Sequence, residues 1–344
     1  MNMTSSELTT QTADGVGKNE GADPNAQGQA PAGHEPARTF VFFTNSSSGN
    51  QDTEQFLEKI AVVMQGHPYH IVCVYPEDSH EQRQKEAVSL VKKHNAILVV
   101  AGGDGTISAM ANHAIREQFP MAIVPFGTFN MFARDHGLSL DTDTALRDLL
   151  TGQIRPVQTG EIGGVHFIVN ATLGLYSQLL ADREEWKNQF GRRRGVAIFA
   201  AFSTIMKYGR SYFLQFNRGD GKQLVKTVSF MACNNNLQAE QAGVEYDEKM
   251  GQGYLYGIVL KPSSRKRMML LALKLIFKRL NQDRQIISFP FESLDIDKKR
   301  GSRTIEVAMD GEVHTLDAPF TVKANKDLLK VLMPMSEPAQ QPPQ

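Results

Sequence analysis

Residues 96–106, with the sequence AILVVAGGDGT, constrain this chain more than any other stretch. Six apolar residues run without alternation, the pattern of a strand buried on both faces. They end in Gly102, Gly103, Asp104, Gly105 and Thr106, and a helix-forming run follows. Glycine lets the backbone take positive φ and approach a ligand closely. Free N–H groups at the following helix start, with the helix dipole behind them, attract an anion. A carboxylate at position 104 would repel a bare phosphate, so its presence fits a role with a metal ion or a proton. The pattern points to a nucleotide triphosphate site with a magnesium ion.

A glycine turn with an aspartate is also a common tight turn, so the rest of the chain has to decide. Residues 123–130, IVPFGTFN, repeat the logic. An apolar strand ends in a turn offering Gly127, Thr128 and Asn130, with a helix candidate at 131–136. A third turn, NSSSGN at 45–50, follows the strand candidate at 39–43. Polar turns at three strand ends are what a phosphate pocket at the carboxyl edge of a parallel sheet requires. On this reading Gly102, Gly103, Gly105 and the Thr106 hydroxyl cradle the phosphates. Thr128 and Asn130 complete the pocket, and Asn45 and Ser48 close it from the first strand. Asn130 reads equally as a helix cap.

Strand candidates at 39–43, 70–75, 96–101 and 121–125 alternate with helix candidates at 53–66, 79–94 and 107–118. This is a doubly wound α/β pattern. Beyond about residue 156 strand-like runs dominate (162–172, 212–216, 227–233, 254–260, 286–291 and 303–309), which predicts a mainly antiparallel β-sandwich domain. The expected organisation is a tail at 1–37, an α/β nucleotide-binding domain at 38–157, a β-rich domain at 158–320 and a tail at 335–344. The first tail is rich in Gly, Ala, Gln and Pro and is expected to be disordered. With 37 basic and 37 acidic residues the chain has no global field to attract nucleic acid. The two cysteines, Cys73 and Cys233, lie in apolar runs and read as small buried hydrophobes of a reducing cytoplasm. No apolar run reaches transmembrane length.

The chain resembles the diacylglycerol-kinase catalytic-domain family of lipid kinases, in the group of soluble bacterial members. The residues that carry the resemblance are Asn45 to Gly49, GGDGT at 102–106, PFGTFNMFAR at 125–134, NATLGL at 170–175 and Asp310-Gly311-Glu312. GGDGT is shared with NAD kinases, whereas the GTFN turn with its FAR sequel and the late DGE favour the lipid-kinase branch. The resemblance implies the two-domain fold of lipid kinases and NAD kinases, with residues 321–334 returning to the first domain. It implies ATP and Mg2+ as cofactors, and transfer of the γ-phosphate to the hydroxyl of a diacylglycerol-like or sphingoid lipid. The general base is then Asp104 or Glu312, and Asp104 is the metal ligand. On residues alone Asp310-Gly311 reads first as a hairpin turn; the resemblance implies that Glu312 lies in the interdomain cleft. The expected partners are a nucleotide and a lipid at the membrane surface, for a cytoplasmic, peripherally membrane-associated protein. A second copy of the chain, as a homodimer, is a further candidate.

The chain departs from the family at three places. Ser108 and Ala109 stand where many relatives have Asn-Glu, Phe129 replaces glycine in the GTxN turn, and Gln252, Gly253 and Gly257 replace acids of a structural magnesium site. These losses keep a second reading open, a non-catalytic nucleotide- or lipid-binding regulator on the same fold. Two stretches are candidates for membrane contact: the basic amphipathic run at 263–284, and Arg192-Arg193-Arg194 ahead of the apolar run 196–206. Each reads equally as a core-facing element with a solvated basic side.

Overall fold

The computed structural model describes residues 38–46, 53–174, 212–217, 221–241, 249–264 and 286–335. Four strands open the chain: β1 (Phe40–Asn45), β2 (Tyr69–Val74), β3 (Ile97–Gly102) and β4 (Met121–Pro125). All are parallel, in the order β2-β1-β3-β4. Their side chains alternate into two cores. Phe40 and Phe42 of β1 pack with helices α1 (Thr53–Val63) and α5 (Thr142–Thr151). Val41 and Phe43 pack on the opposite face with α2 (His80–His94) and α3 (Asp104–Glu117). Both faces being covered, the strands are apolar throughout, as a parallel sheet demands.

The strand order reverses between β1 and β3, so the turns after their carboxyl ends diverge and leave a crevice. Register pairs Thr44 with Ala101 and Gly102 with Pro125, which brings the ends of β1, β3 and β4 to one edge. Helix ends are specified locally. Ser79 caps α2 and Asp141 caps α5 through side-chain oxygens that accept from Gln82 N and Thr144 N. Lys92, Lys93 and His94 fill the last turn of α2, where cations complement the dipole.

The second half is antiparallel. A six-stranded sheet runs in the order β12 (Ile286–Phe291), β11 (Leu255–Leu260), β10 (Ser229–Cys233), β7 (Asn170–Gly174), β14 (Thr304–Met309) and β15 (Glu312–Asp317). It packs on strands of the first sheet, which does not stop at the α/β half. Strand β16 (Phe320–Met333) pairs in parallel with β4 through Val331 and antiparallel with β13 (Ser293–Lys298). β13 leads on to β8 (Tyr212–Asn217) and β9 (Lys222–Thr227). The fold is therefore an α/β domain and an antiparallel β domain that share one ten-stranded sheet. The β core gathers Phe167, Phe216, Phe230, Phe291, Leu294 and Ile305. Cys73 and Cys233 are buried and unpaired.

The strand-like run at 162–172 is divided in the structure. β5 (Gln153–Ile162) turns through Gly163 and Gly164, both at positive φ, into β6 (Val165–Phe167), and β7 starts at Asn170. Two consecutive glycines make a two-residue hairpin, which continuous apolar character hides. Strands β13 and β15 and helix α5 also exist without having been expected, because half-exposed polar strands and short capped helices carry weak periodicity.

Gly160 of β5 faces Phe167 of β6 directly. A Cβ at 160 would fall within the Phe167 ring, which is itself fully buried. We expect Gly160→Ala to cost about 1–3 kcal/mol in urea denaturation through overpacking; an unchanged midpoint would show that the ring can move aside.

Candidate active site

The turn after β3 and the turn after β4 touch backbone to backbone. An ideal Cβ on Gly127 would lie 2.8 Å from Gly103 Cα, and one on Gly103 would lie 3.3 Å from Gly127 Cα. A Cβ on Gly102 would meet Thr106 Cβ at 2.9 Å. These three glycines are required by close approach rather than by positive φ. Phe126 N donates to Gly102 O at 2.9 Å, continuing the β3–β4 ladder into the turn. Gly105 faces open space, and Thr106 and Thr128 sit at the rim. No side chain caps the N-terminus of α3, where Gly103 is the N-cap residue.

Asp104 holds the second turn in place. Its Oδ2 accepts from Met131 N and its Oδ1 from Phe132 N, both at 3.1 Å. The carboxylate thus caps α4 (Met131–Asp135) from a neighbouring strand end, satisfying N–H groups that a short helix cannot. Asn130 occupies the N-cap position of α4 with φ 49°, and its side chain makes no cap bond. Its Oδ1 is buried without a partner, tucked beneath Gly127. The two motifs are therefore one unit, and the carboxylate singled out as base or metal ligand is also its clamp. Asn45 ends β1 beside this unit, whereas Ser48 lies outside the described residues, as do the membrane-contact candidates 192–194 and 196–206 and nearly all of 263–284.

The late DGE segment is the two-residue turn of the β14–β15 hairpin. Met309 pairs with Glu312, with Asp310 at φ 47° and Gly311 at φ 95° between them. This is the positive-φ hairpin geometry that Asp-Gly favours. The turn is not merely a turn. The Asp310 carboxylate is buried and accepts four bonds: from Ser108 Oγ at 2.6 Å, Ile168 N at 2.7 Å, and Val169 N and Asn170 N at 2.9 Å. Burial pushes its carboxyl above the usual range, and these donors oppose the shift. Asn112, one turn beyond Ser108, exchanges bonds of 2.8 Å with the His166 backbone. The helix that starts at GGDGT is thus fastened to the β domain along one face. Glu312 is exposed and lines a cavity of about 550 Å³ with Ser108, Ala109, Asn112, His166 and His314.

A second set of contacts ties α4 to the β domain. Asn235 Nδ2 donates to Met131 O at 3.0 Å. Asp135 Oδ1 accepts from Asn236 N at 3.1 Å, at the start of α6 (Asn236–Gln241). Reading the sequence singled out Glu312 and missed the work of Ser108, Asp310 and Asp135. The one signal available was Ser108 itself, a polar residue among the apolar positions of α3.

Residues 39–162 match the family model of the diacylglycerol kinase catalytic domain. The match spans 124 of the 344 residues. The matched segment contains both the GGDGT and GTFN turns, while the DGE hairpin lies beyond it. A "Probable lipid kinase YegS-like" of Pseudomonas aeruginosa is 40% identical over 92 residues, which cover 26% of this chain and 30% of that protein. One of the same description from Yersinia enterocolitica is 24% identical over 152 residues, 43% of this chain and 50% of that protein. The chain thus spans about a third of the length of the Pseudomonas relatives it matches. A diacylglycerol kinase structure from Bacillus anthracis superposes with a TM-score of 0.63 at 18% identity, covering 88% of this chain and all of that one. A second structure from the same organism reaches 0.66 at 20% identity. These likenesses establish the two-domain fold.

Two expectations follow. Ser108→Ala removes one of four donors from the buried Asp310 carboxylate, and we expect a stability loss of about 1.5–3 kcal/mol in urea denaturation. No measurable loss would show that the three amides suffice. Asp135 supplies a pH test. Burial pushes its carboxyl up to about 6. The folded chain then holds a proton that the unfolded chain has released, so this group lowers stability as pH rises from 3.8 to about 6. Asp135→Asn keeps an acceptor oxygen and should gain on the wild type through that window in paired melts. A constant difference between the two would refute the assignment.

Proposed function

We propose that the chain is an ATP-dependent lipid kinase that transfers the γ-phosphate to a hydroxyl of a diacylglycerol-like or sphingoid membrane lipid. One observation carries the reading. A glycine-built cradle at the ends of β3 and β4 is fastened, through α3, Ser108 and Asp310, to a hairpin that presents Glu312 in a cavity against that same helix. Phosphoryl transfer is mainly positioning and charge stabilisation, and this arrangement supplies positions for both reactants.

In this reading the backbones of Gly102, Gly103 and Gly105 and the Thr106 hydroxyl receive the nucleotide phosphates. Thr128, Asn130, Asn45 and Ser48 complete the pocket. The contact of the Gly103 and Gly127 backbones keeps side chains out of this edge of the crevice, and the Asn130 Oδ1 beneath it is left unpartnered. Among the described residues no group of three His, Cys, Asp or Glu side chains is spaced to hold a metal. Asp104 would hold a magnesium ion that accompanies the nucleotide phosphates. Bound there, the ion would neutralise phosphate charge. Glu312 accepts the proton of the lipid hydroxyl as general base, and Asp104 keeps the two turns in register. The lipid hydroxyl is offered from the bilayer surface in this reading; among the described residues no helix is long and apolar enough to cross a membrane.

The test is transfer of labelled γ-phosphate from ATP to a total bacterial lipid extract by wild type, Glu312→Gln and Gly127→Ala. We expect a labelled lipid with wild type and a loss of about 10²–10⁴-fold with Glu312→Gln, with ATP binding retained. Gly127→Ala should lose ATP binding itself. Bound ATP with no labelled lipid would replace this reading with the non-catalytic regulator.

A further inference from the structure

We infer that one end of the β domain, where β8 begins and β13 ends, is a docking surface for an anionic bilayer. Phe213 is half-exposed, and its ring carries two cations, Arg300 Cζ at 4.5 Å and Lys226 Nζ at 5.5 Å from its centroid. Lys298 Nζ lies 5.5 Å from the Tyr212 centroid. Lys299 follows, its backbone N–H donating to Phe213 O at 2.9 Å, and Arg303 lies in the next turn. Two acids share this end. Asp297 pairs with Lys299 at 2.6 Å and with Arg303 at 4.0 Å, and Asp317 accepts from the Thr304 hydroxyl at 2.9 Å. Among the described residues at this end, five cations against two acids leave an excess of three, on a chain whose total charge is zero.

The register puts Phe213, Lys226 and Arg300 on one face at this end of the sheet, and Tyr212 with Lys298 at the margin of the other. Phe213 pairs with Lys226 and Gln215 with Leu224, so Lys226 and Leu224 project on the same side of edge strand β9. Leu224 is 63% exposed, an apolar side chain beside the cations. Edge strands often carry lysines to block pairing with another sheet, which would account for Lys222 and Lys226. It does not account for Lys298, Lys299 and Arg300, at and just beyond the end of β13, an interior strand, nor for aromatic rings beside the charges. Cations held over aromatic faces, with apolar side chains at their level, suit the boundary between anionic headgroups and acyl chains.

The surface is a tether rather than part of the acceptor site. Strand β14 starts at Thr304 beside it and ends at the Asp310 turn, six residues or about 20 Å away. The chain also leaves and re-enters the described β domain at this end. Gly174 and Leu260 both pair at Ser229, Ile286 pairs with Leu260, and Tyr212 lies against Gly174. The choice of a bilayer as occupant rests on the lipid-kinase reading proposed above; the charge and the rings do not.

Flotation of the full chain with phosphatidylcholine vesicles, with and without phosphatidylserine, tests the surface. We expect binding only with the anionic lipid, weakened by salt, and lowered roughly fivefold for each cation removed in Lys226→Gln and Arg300→Gln. Phe213→Ala should weaken it further, with melting temperatures showing that each variant folds. Phosphotransfer to a detergent-dispersed lipid should be unchanged in these variants. Vesicle binding that ignores the substitutions, or a change in oligomeric state in their place, overturns the proposal. Charge-dependent binding by a chain that transfers no phosphate upholds the surface and overturns only the kinase reading.

Discussion

A buried carboxylate, Asp310, organises the centre of this molecule. Removing a carboxylate from water costs several kcal/mol unless strong donors replace the solvent. Here four do, three backbone N–H groups at 168–170 and the Ser108 hydroxyl. The amides fix the start of β7, the hydroxyl fixes α3, and the turn that carries Asp310 presents Glu312. One charge thereby sets the position of a β-domain hairpin against the helix that begins at the phosphate-type turn. Hydrogen bonds to an ionised acceptor are short and directional, so this junction specifies geometry as well as cohesion.

The same device recurs at smaller scale. Asp104 caps α4 from the end of β3, and Asp135, at the other end of α4, receives an amide of the β domain. Each acid substitutes for the partner that a short helix lacks at its terminus. The two crevice turns are thus held from three sides, with side chains excluded where Gly103 meets Gly127. Strand β16 provides the larger frame. By pairing with β4 at one end and β13 at the other, it makes the two domains halves of one sheet. Relative motion of the halves would have to bend that strand, whose register shift between Asn325 and Leu329 is the irregular point along it.

Much of this was legible in the residues. Unbroken apolar runs closed by glycine identified the parallel strands and the edge where their turns meet, because burial on both faces leaves no room for alternation. The antiparallel half was legible in class but not in detail. The β5–β6 hairpin hides behind Gly163 and Gly164 in an apolar run, and β15, with its exposed Glu312, Val313 and Thr315, has no clean period. The DGE segment was legible as a hairpin by its Asp-Gly, and the structure makes it one; the site role of Glu312 belongs to the proposed function.

By itself the sequence determined the strands, the helix caps and the glycine turns, since these depend on neighbours within a few residues. It also determined which residue types meet at the crevice edge. Only the tertiary structure decided what the acids do. Asp104 and Met131 are 27 residues apart, and Ser108 and Asp310 are 202 apart. A carboxylate's partners depend on which distant N–H and O–H groups the packed sheets deliver to it, and no local pattern encodes that delivery.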